Sequence, residues 1–113
     1  MHELSITRSV VAIVSERAAG QRVTRVRLEI GSLCAIMPDA IRFCFDICAA
    51  DTPVAGAALE IDEIPGMGCC NSCGTEVRLN ALVGRCPICG TSNLRLIAGQ
   101  ELNIKEMEVQ PCA

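Results

Sequence analysis

Apolar residues recur at helical spacing near the start of the chain. Leu4, Val11, Val14 and Ala18 fall on one face, Ile6, Val10 and Ile13 widen it, and Arg8, Ser15 and Arg17 lie outside it. This predicts an amphipathic helix over residues 4–18, stopped by Gly20. The period then shortens to two in "VTRVRLEI", where Val26, Leu28 and Ile30 point one way and Arg25, Arg27 and Glu29 the other. That is the pattern of a strand with one covered face. After a loop at Gly31, Pro38 opens a second helix in the first-turn position that proline tolerates, with Ile41, Cys44, Phe45 and Cys48 in one stripe opposite Asp39, Arg42 and Asp46.

Residues 58–64, "ALEIDEI", alternate again through Leu59 and Ile61, and Pro65-Gly66-Met67-Gly68 is expected to break that strand. From Cys69 to about Ile97 the composition turns cysteine-rich. Beyond Gly99, "ELNIKEMEV" reads as a third strand, whose Leu102 and Ile104 differ in parity from Met107 and Val109, as a shifted register or bulge would produce. One strand cannot bury its face alone, so the economical topology returns the last strand to the first two. The predicted fold class is α+β: two helices against a small three-stranded sheet, with an inserted four-cysteine zinc ribbon. Residues 1–66 with 100–113 form the α/β domain in this reading, and 67–99 form the insert.

Composition adds two constraints. Half of the 113 residues are apolar but only Phe43 and Phe45 are aromatic, so the core is small and aliphatic, and a small core calls for a further staple. Nine cysteines offer one. The first twenty residues have no basic leader, and Glu3, Arg8 and Glu16 interrupt their apolar positions, so the expected location is cytoplasmic. In that compartment paired cysteines bind metal more often than they oxidise. No apolar run is long enough to span a bilayer, so no membrane role is expected.

The cysteines supply the strongest local motif. Cys70-x-x-Cys73-Gly74 and Cys86-Pro87-Ile88-Cys89-Gly90 form two like motifs, with twelve residues between Cys73 and Cys86. Two such knuckles suit one zinc ion held by Cys70, Cys73, Cys86 and Cys89, because a two-residue gap turns both sulfurs of a pair toward one point. The glycine after each pair lets the backbone pass close to sulfur. Iron in a rubredoxin-like site is the chemical rival, and disulfides are the bland alternative. Cys69 adjoins Cys70 and is a second candidate for the same position, although Cys70 reproduces the spacing of the other pair. Four thiolates fill a tetrahedral ion, so the site is structural and not hydrolytic. Its zinc is expected to drive folding of the insert, with an apparent affinity of about 10–16 kcal/mol.

Charge weighs against nucleic acid. The chain carries −3 overall, and residues 69–98 carry Arg78, Arg85 and Arg95 against Glu76, a +2 that a tetrathiolate zinc of about −2 cancels. The ribbon also lacks an aromatic for base stacking. Subtracting its +2 from −3 leaves −5 elsewhere, suited to a basic partner surface or simply to solubility. Cys44 and Cys48 read as small hydrophobes of a core stripe, and nothing in their spacing gives Cys34 or Cys112 a role.

The terminus carries a second motif. In "MHE" the free amine of Met1, the His2 amide nitrogen and the His2 imidazole can close fused chelate rings on one ion, with the Glu3 amide available for a fourth planar position. A tetragonal nitrogen set suits Ni(II) or Cu(II). It also demands an unblocked amine and loss of amide protons, so affinity depends steeply on pH. The bland alternative is a solvated terminal histidine.

The opening "MHELSI", the stretch "VRLEIGSLCAIMPDAIRFCF", the two knuckles and the final "ELNIKEMEV" together resemble HypA/HybF, the nickel-delivery proteins of [NiFe]-hydrogenase maturation, essentially end to end. The resemblance implies a non-enzymatic metallochaperone with one nickel at Met1, His2 and Glu3 and structural zinc on Cys70, Cys73, Cys86 and Cys89. A carboxylate after the first strand is linked to nickel in some members of that family, and Asp39 is the nearest here. The implied partners are the GTPase HypB and the precursor of the hydrogenase large subunit, with the chain a monomer or weak homodimer. Two rival readings make other predictions. A zinc-ribbon adaptor without nickel transfer would keep its activity when the terminus is blocked, and a thiol oxidoreductase would turn over a disulfide substrate with a metal-free CxxC pair.

Overall fold

The computed structural model describes residues 2–82 and 84–111. Its first helix, α1, spans Glu3–Ala18 and stops where Ala19 turns into the left-handed region at φ 52°, followed by Gly20 at φ 87°. Strand β1 is Val23–Gly31 and helix α2 is Pro38–Ala49, entered from Met37 in an extended conformation with proline at the first helical position. Strands β2 (Ala58–Ile64), β3 (Gly66–Cys70), β4 (Glu76–Leu79), β5 (Leu94–Ala98) and β6 (Leu102–Val109) complete the order. They form two three-stranded sheets, β2-β1-β6 and β4-β3-β5. Among the described residues no helix is long and apolar enough to cross a membrane.

The chain divides into two compact units. The first comprises Met1–Leu28, Ile36–Asp62 and Asn103–Ala113. Here α1 packs against α2, and the buried side chains include Val10, Val11, Val14 and Ala18 of α1, Val23, Val26 and Leu28 of β1, and Ile41, Phe45 and Ala49 of α2. The predicted helices, the alternating β1 and the three-stranded sheet are all present. The α1 face is narrower than its apolar residues suggest, for Leu4 and Ile13 are each 42% exposed while Thr7 is fully buried. Thr7 tolerates burial because its hydroxyl donates to the Glu3 carbonyl one turn back, at 2.6 Å. Cys44 and Cys48 are half-buried at the margin of the α2 stripe.

The polar face of the β2-β1-β6 sheet explains why β1 is central. Arg25 donates to Glu60 of β2 at 2.7 Å and to both Glu106 (3.2 Å) and Glu108 of β6. Arg27 holds Asp62 of β2 with two bonds, at 3.0 and 3.2 Å, and reaches Glu106 of β6 at 3.3 Å. Two arginines on one strand thus bridge both neighbours. In β6 the half-buried residues are Ile104, Met107 and Val109, so the change of parity expected from the sequence falls across Lys105 and Glu106.

The second unit comprises Glu29–Ala35 and Glu63–Leu102. Strand β3 pairs antiparallel with β4, Cys69 opposite Glu76, and with β5, Cys70 opposite Leu94, with a register shift between Met67 and Gly68. The expected break at Pro65-Gly66-Met67-Gly68 is therefore confined to Pro65, and the glycines belong to a strand. They are there because the strand is tightly covered. A Cβ at Gly66 would sit 2.5 Å from the Leu79 carbonyl oxygen, and one at Gly68 would sit 2.9 Å from Leu79 Cδ1. A small core of Cys70, Val77, Leu79 and Cys86 lies beneath, with Leu33, Leu94 and Leu96 against it.

Candidate metal centre

The register of β3 decides which of its adjacent cysteines points inward. Successive side chains of a strand alternate, and Cys70 is 1% exposed whereas Cys69 is half-buried on the other face. The Cys69 thiol lies 3.8 Å from the Gly74 carbonyl oxygen and 3.9 Å from that of Cys70. The structure brings together Cys70, Cys73, Cys86 and Cys89, whose sulfurs all lie within 4.8 Å of one another.

Each knuckle is a closed turn. Gly74 N–H donates to the Cys70 carbonyl at 2.8 Å and Cys70 N–H to Thr75 at 2.9 Å. The second knuckle repeats this with Gly90 to Cys86 and Cys86 to Thr91, both at 2.8 Å. Both glycines sit at φ 76°, a left-handed conformation that a side chain disfavours. The first sulfur of each pair is buried and the second exposed.

The spacing of the sulfurs tests the fit to a metal. Four thiolates at about 2.3 Å from a tetrahedral zinc are roughly 3.8 Å apart along each edge. Here Cys70 and Cys89 stand 3.5 Å apart and Cys73 and Cys86 3.7 Å. A disulfide needs about 2.05 Å. The donor set fits a soft four-coordinate ion, and such a closed shell leaves no position for water or substrate.

Electrostatics within the cluster are uneven. The Cys73 thiol is lowered to about 6 by the Thr75 hydroxyl, with the Thr75 backbone N–H and the Cys70 thiol adding to it. The Cys73 backbone N–H lowers Cys70. At Cys89 the Thr91 backbone N–H favours the thiolate, but hydrogen bonding with the Cys70 thiol, desolvation and the thiols of Cys86 and Cys73 prevail and push it up to about 11. Sulfurs this close share protons until a cation replaces them.

The terminal residues present a different picture. His2 is the exposed N-cap of α1, its carbonyl accepting the Ile6 N–H at 2.9 Å. Glu3 opens the helix, and its carboxylate accepts the Met37 N–H at 3.4 Å, tying the first turn of α1 to the entry of α2. Asp39, in the first turn of α2, is highly exposed and pairs with Arg42 at 2.7 Å. Among the described residues, the four cysteines are the only three or more His, Cys, Asp or Glu side chains close enough to hold one ion. Met1 and Cys112 lie outside the described residues. Cys34, Cys44, Cys48 and Cys69 are free thiols that this cluster does not include, and the Cys48 sulfur rests 4.0 Å from the Leu4 carbonyl. Thr75, at hydrogen-bond distance from the Cys73 sulfur, was not singled out in the sequence. Its only signal there is a threonine after each CxxCG, at 75 and 91.

A family model described as "Hydrogenase/urease nickel incorporation, metallochaperone, hypA" matches residues 1–109. The chain belongs to the HypA family. The hydrogenase maturation factor HypA of Crocosphaera subtropica is 58% identical over 110 residues, covering 97% of this chain and 96% of its own. HypA of Geobacter metallireducens is 49% identical over 110 residues, covering 97% and 100%. Among solved structures, the nickel metallochaperone HypA from Helicobacter pylori matches with a TM-score of 0.67 at 26% identity, covering 96% of this chain and 97% of that one. A further HypA solution structure gives 0.70 at 26% identity. The four-cysteine cluster is thus set within a HypA-type α+β chain whose match starts at its first residue.

Proposed function

We propose that this protein carries Ni(II) on its amino terminus and delivers it to the precursor of a [NiFe]-hydrogenase large subunit, while zinc on Cys70, Cys73, Cys86 and Cys89 holds the ribbon folded. The observation that carries this reading is the family match across residues 1–109, which takes in both the "MHE" terminus and the four-cysteine cluster. The GTPase HypB is the partner with which nickel is loaded. The chain acts as a carrier and not a catalyst, in the cytosol, as a monomer or weak homodimer without nucleic acid or membrane. Residues 1–66 with 100–113 act as the nickel-binding domain and 67–99 as the inserted zinc domain.

The two sites suit opposite tasks. A closed thiolate cage retains its ion. A terminal site of amine, amide and imidazole has few ligands fixed by the fold, which suits release. His2 caps the helix through its carbonyl, so its amide nitrogen and exposed imidazole stand outside the α1 hydrogen-bond ladder. Glu3 adds a carboxylate beside them, and Asp39 of α2 is a further candidate ligand.

Nickel titration of untagged protein, wild type beside His2→Ala, tests the reading. The expected result is one nickel per wild-type chain, lost in His2→Ala with zinc retained. Unchanged nickel affinity in the variant, or nickel found on sulfur, overturns it.

A further inference from the structure

The two knuckles share more than their cysteines. Both read Cys-x-x-Cys-Gly-Thr, at 70–75 and 86–91, and their backbone hydrogen bonds and glycine dihedrals repeat one another. In each, the buried first sulfur is out of reach and the second is exposed. Two identical halves would make Cys73 and Cys89 equivalent. Any side chain that breaks the repeat makes them chemically distinct.

The threonines break it. Thr75 Oγ1 lies 3.3 Å from the Cys73 sulfur, whereas Thr91 Oγ1 accepts the Asn93 N–H at 3.2 Å. The exposed sulfur of the first knuckle thus has a hydroxyl within hydrogen-bond reach, while in the second knuckle the Arg85 side chain donates to the Gly90 carbonyl at 3.1 Å. A metal-bound thiolate has no proton, so toward Cys73 the Thr75 hydroxyl must be the donor. A hydrogen bond to a charged acceptor is about twice as strong as a neutral one, and it draws electron density from the sulfur lone pair. Partners of this kind orient a ligand and tune it.

We propose that Thr75 is a positioning residue of the metal centre: its hydroxyl donates to the Cys73 thiolate, so the first knuckle anchors the ion and Cys89 is the ligand at which the cage opens to electrophiles. This rests on the reading of the four sulfurs as one metal cage. An electrophile approaching from solvent meets two exposed sulfurs, one with its lone pair engaged by a hydroxyl and one without. It reacts with the second. Bond formation at Cys89 removes one of four ligands and loosens the ion from the second knuckle while Cys70 and Cys73 still hold it.

The test uses the zinc-loaded full chain and limiting N-ethylmaleimide. Thiolate sulfur adds to the maleimide double bond, a new S–C bond forms, and solvent protonates the adjacent carbon. Peptide mass mapping then gives the rates at Cys73 and Cys89 separately in wild type, Thr75→Val, Thr75→Ser and Thr91→Val. Cys89 is expected to react first in wild type. In Thr75→Val the rate at Cys73 should rise roughly 10- to 100-fold, the range over which such partners act. Thr75→Ser should restore the order, and Thr91→Val should leave it unchanged. A purely structural role for Thr75 would raise the rates at Cys70 and Cys86 together with Cys73, and that outcome overturns the proposal, as do equal wild-type rates. If Thr75→Val does not fold, the wild-type ratio and its retention in Thr75→Ser decide. A chain that binds no zinc at these cysteines fails the metal reading itself, whereas a zinc-loaded chain with indifferent Cys73 and Cys89 fails only the role of Thr75.

Discussion

Cys70 and Cys89, nineteen positions apart in sequence, hold their sulfurs 3.5 Å from each other. No local structure enforces that contact. It is made by two turns, one at the end of β3 and one in the segment between β4 and β5, each closed by its own hydrogen bonds. Among the described residues the core of this unit is Cys70, Val77, Leu79 and Cys86 with three leucines against it, little apolar area to hold the turns together. A metal shared between them would supply what burial does not.

The strand register separates the adjacent cysteines by experiment. Cys70→Ala should lose zinc, with affinity falling by more than the roughly 10- to 100-fold typical of a partner that only supports a ligand. Cys69→Ala should keep one zinc per chain and tetrahedral sulfur coordination by X-ray absorption. Full zinc stoichiometry in Cys70→Ala would show that Cys69 takes over and that β3 can slip by one residue.

Gly31 and Gly99 provide a packing prediction. Gly31 N–H donates to Glu101 and Leu33 N–H to Gly99, both at 2.8 Å, and a Cβ at Gly31 would lie 2.0 Å from the Gly99 carbonyl oxygen. Neither backbone can yield without losing these bonds. Gly31→Ala should therefore cost more than the about 1–3 kcal/mol of ordinary overpacking. Gly74→Ala has open space at its Cβ, and its φ of 76° alone should cost roughly 1–2 kcal/mol. Urea unfolding of both variants with zinc present ranks them, and a Gly31→Ala protein as stable as wild type refutes the close approach.

Much of the fold was legible because burial and polarity agree. Val26, Leu28 and Ile30 are buried while Arg25 and Arg27 meet the neighbouring strands, so a period of two was enough to find β1. The α1 face departs from its apolar pattern where they disagree. Thr7 looks polar but satisfies its hydroxyl within its own helix, and Leu4 and Ile13 are apolar yet lie off the buried stripe. Strand β3 was hidden because glycine reads as a turn former, and only the neighbouring Leu79 shows that its role here is closeness. The four-cysteine cluster was legible because ligand spacing is a chemical requirement; that spacing favours Cys70 over Cys69, and the alternation of β3 adds that Cys70 is the buried one of the two. Thr75 carried almost no signal, since a second-layer hydroxyl has no fixed spacing of its own.

The sheet charges give a pH dependence with a defined sign. Arg27 and, less strongly, Lys105 outweigh desolvation and hold the Asp62 carboxyl below the usual range; Arg27 and Arg25 do the same for Glu106. Folded values lowered in this way stabilise the protein above the unfolded carboxylate pKa of about 4 and lose that contribution as pH falls through the folded value. Asp62→Asn should therefore melt below wild type at pH 7, and the gap should close progressively under about pH 4. High salt should narrow it as well, because the pairs are partly exposed. Thermal unfolding followed by circular dichroism at several pH values checks this. A gap independent of pH would mean that Asp62 acts by shape and not by charge.

The amino group itself can be removed from the proposed nickel site without touching a side chain. Acetylating the terminal amine leaves His2, Glu3 and the ribbon cysteines in place but removes the nitrogen that opens the chelate. Nickel binding should then be lost while zinc content stays at one per chain. In the unmodified protein nickel affinity should rise with pH through the ordinary range of the α-amino group, about 7.7–8.0, because the amine must shed its proton before it can bind. Isothermal titration at pH 6.5, 7.5 and 8.5, on blocked and free chains, reads both effects. A blocked chain that binds nickel as tightly as the free one would place the ligands on the imidazole and the carboxylates of Glu3 and Asp39 instead.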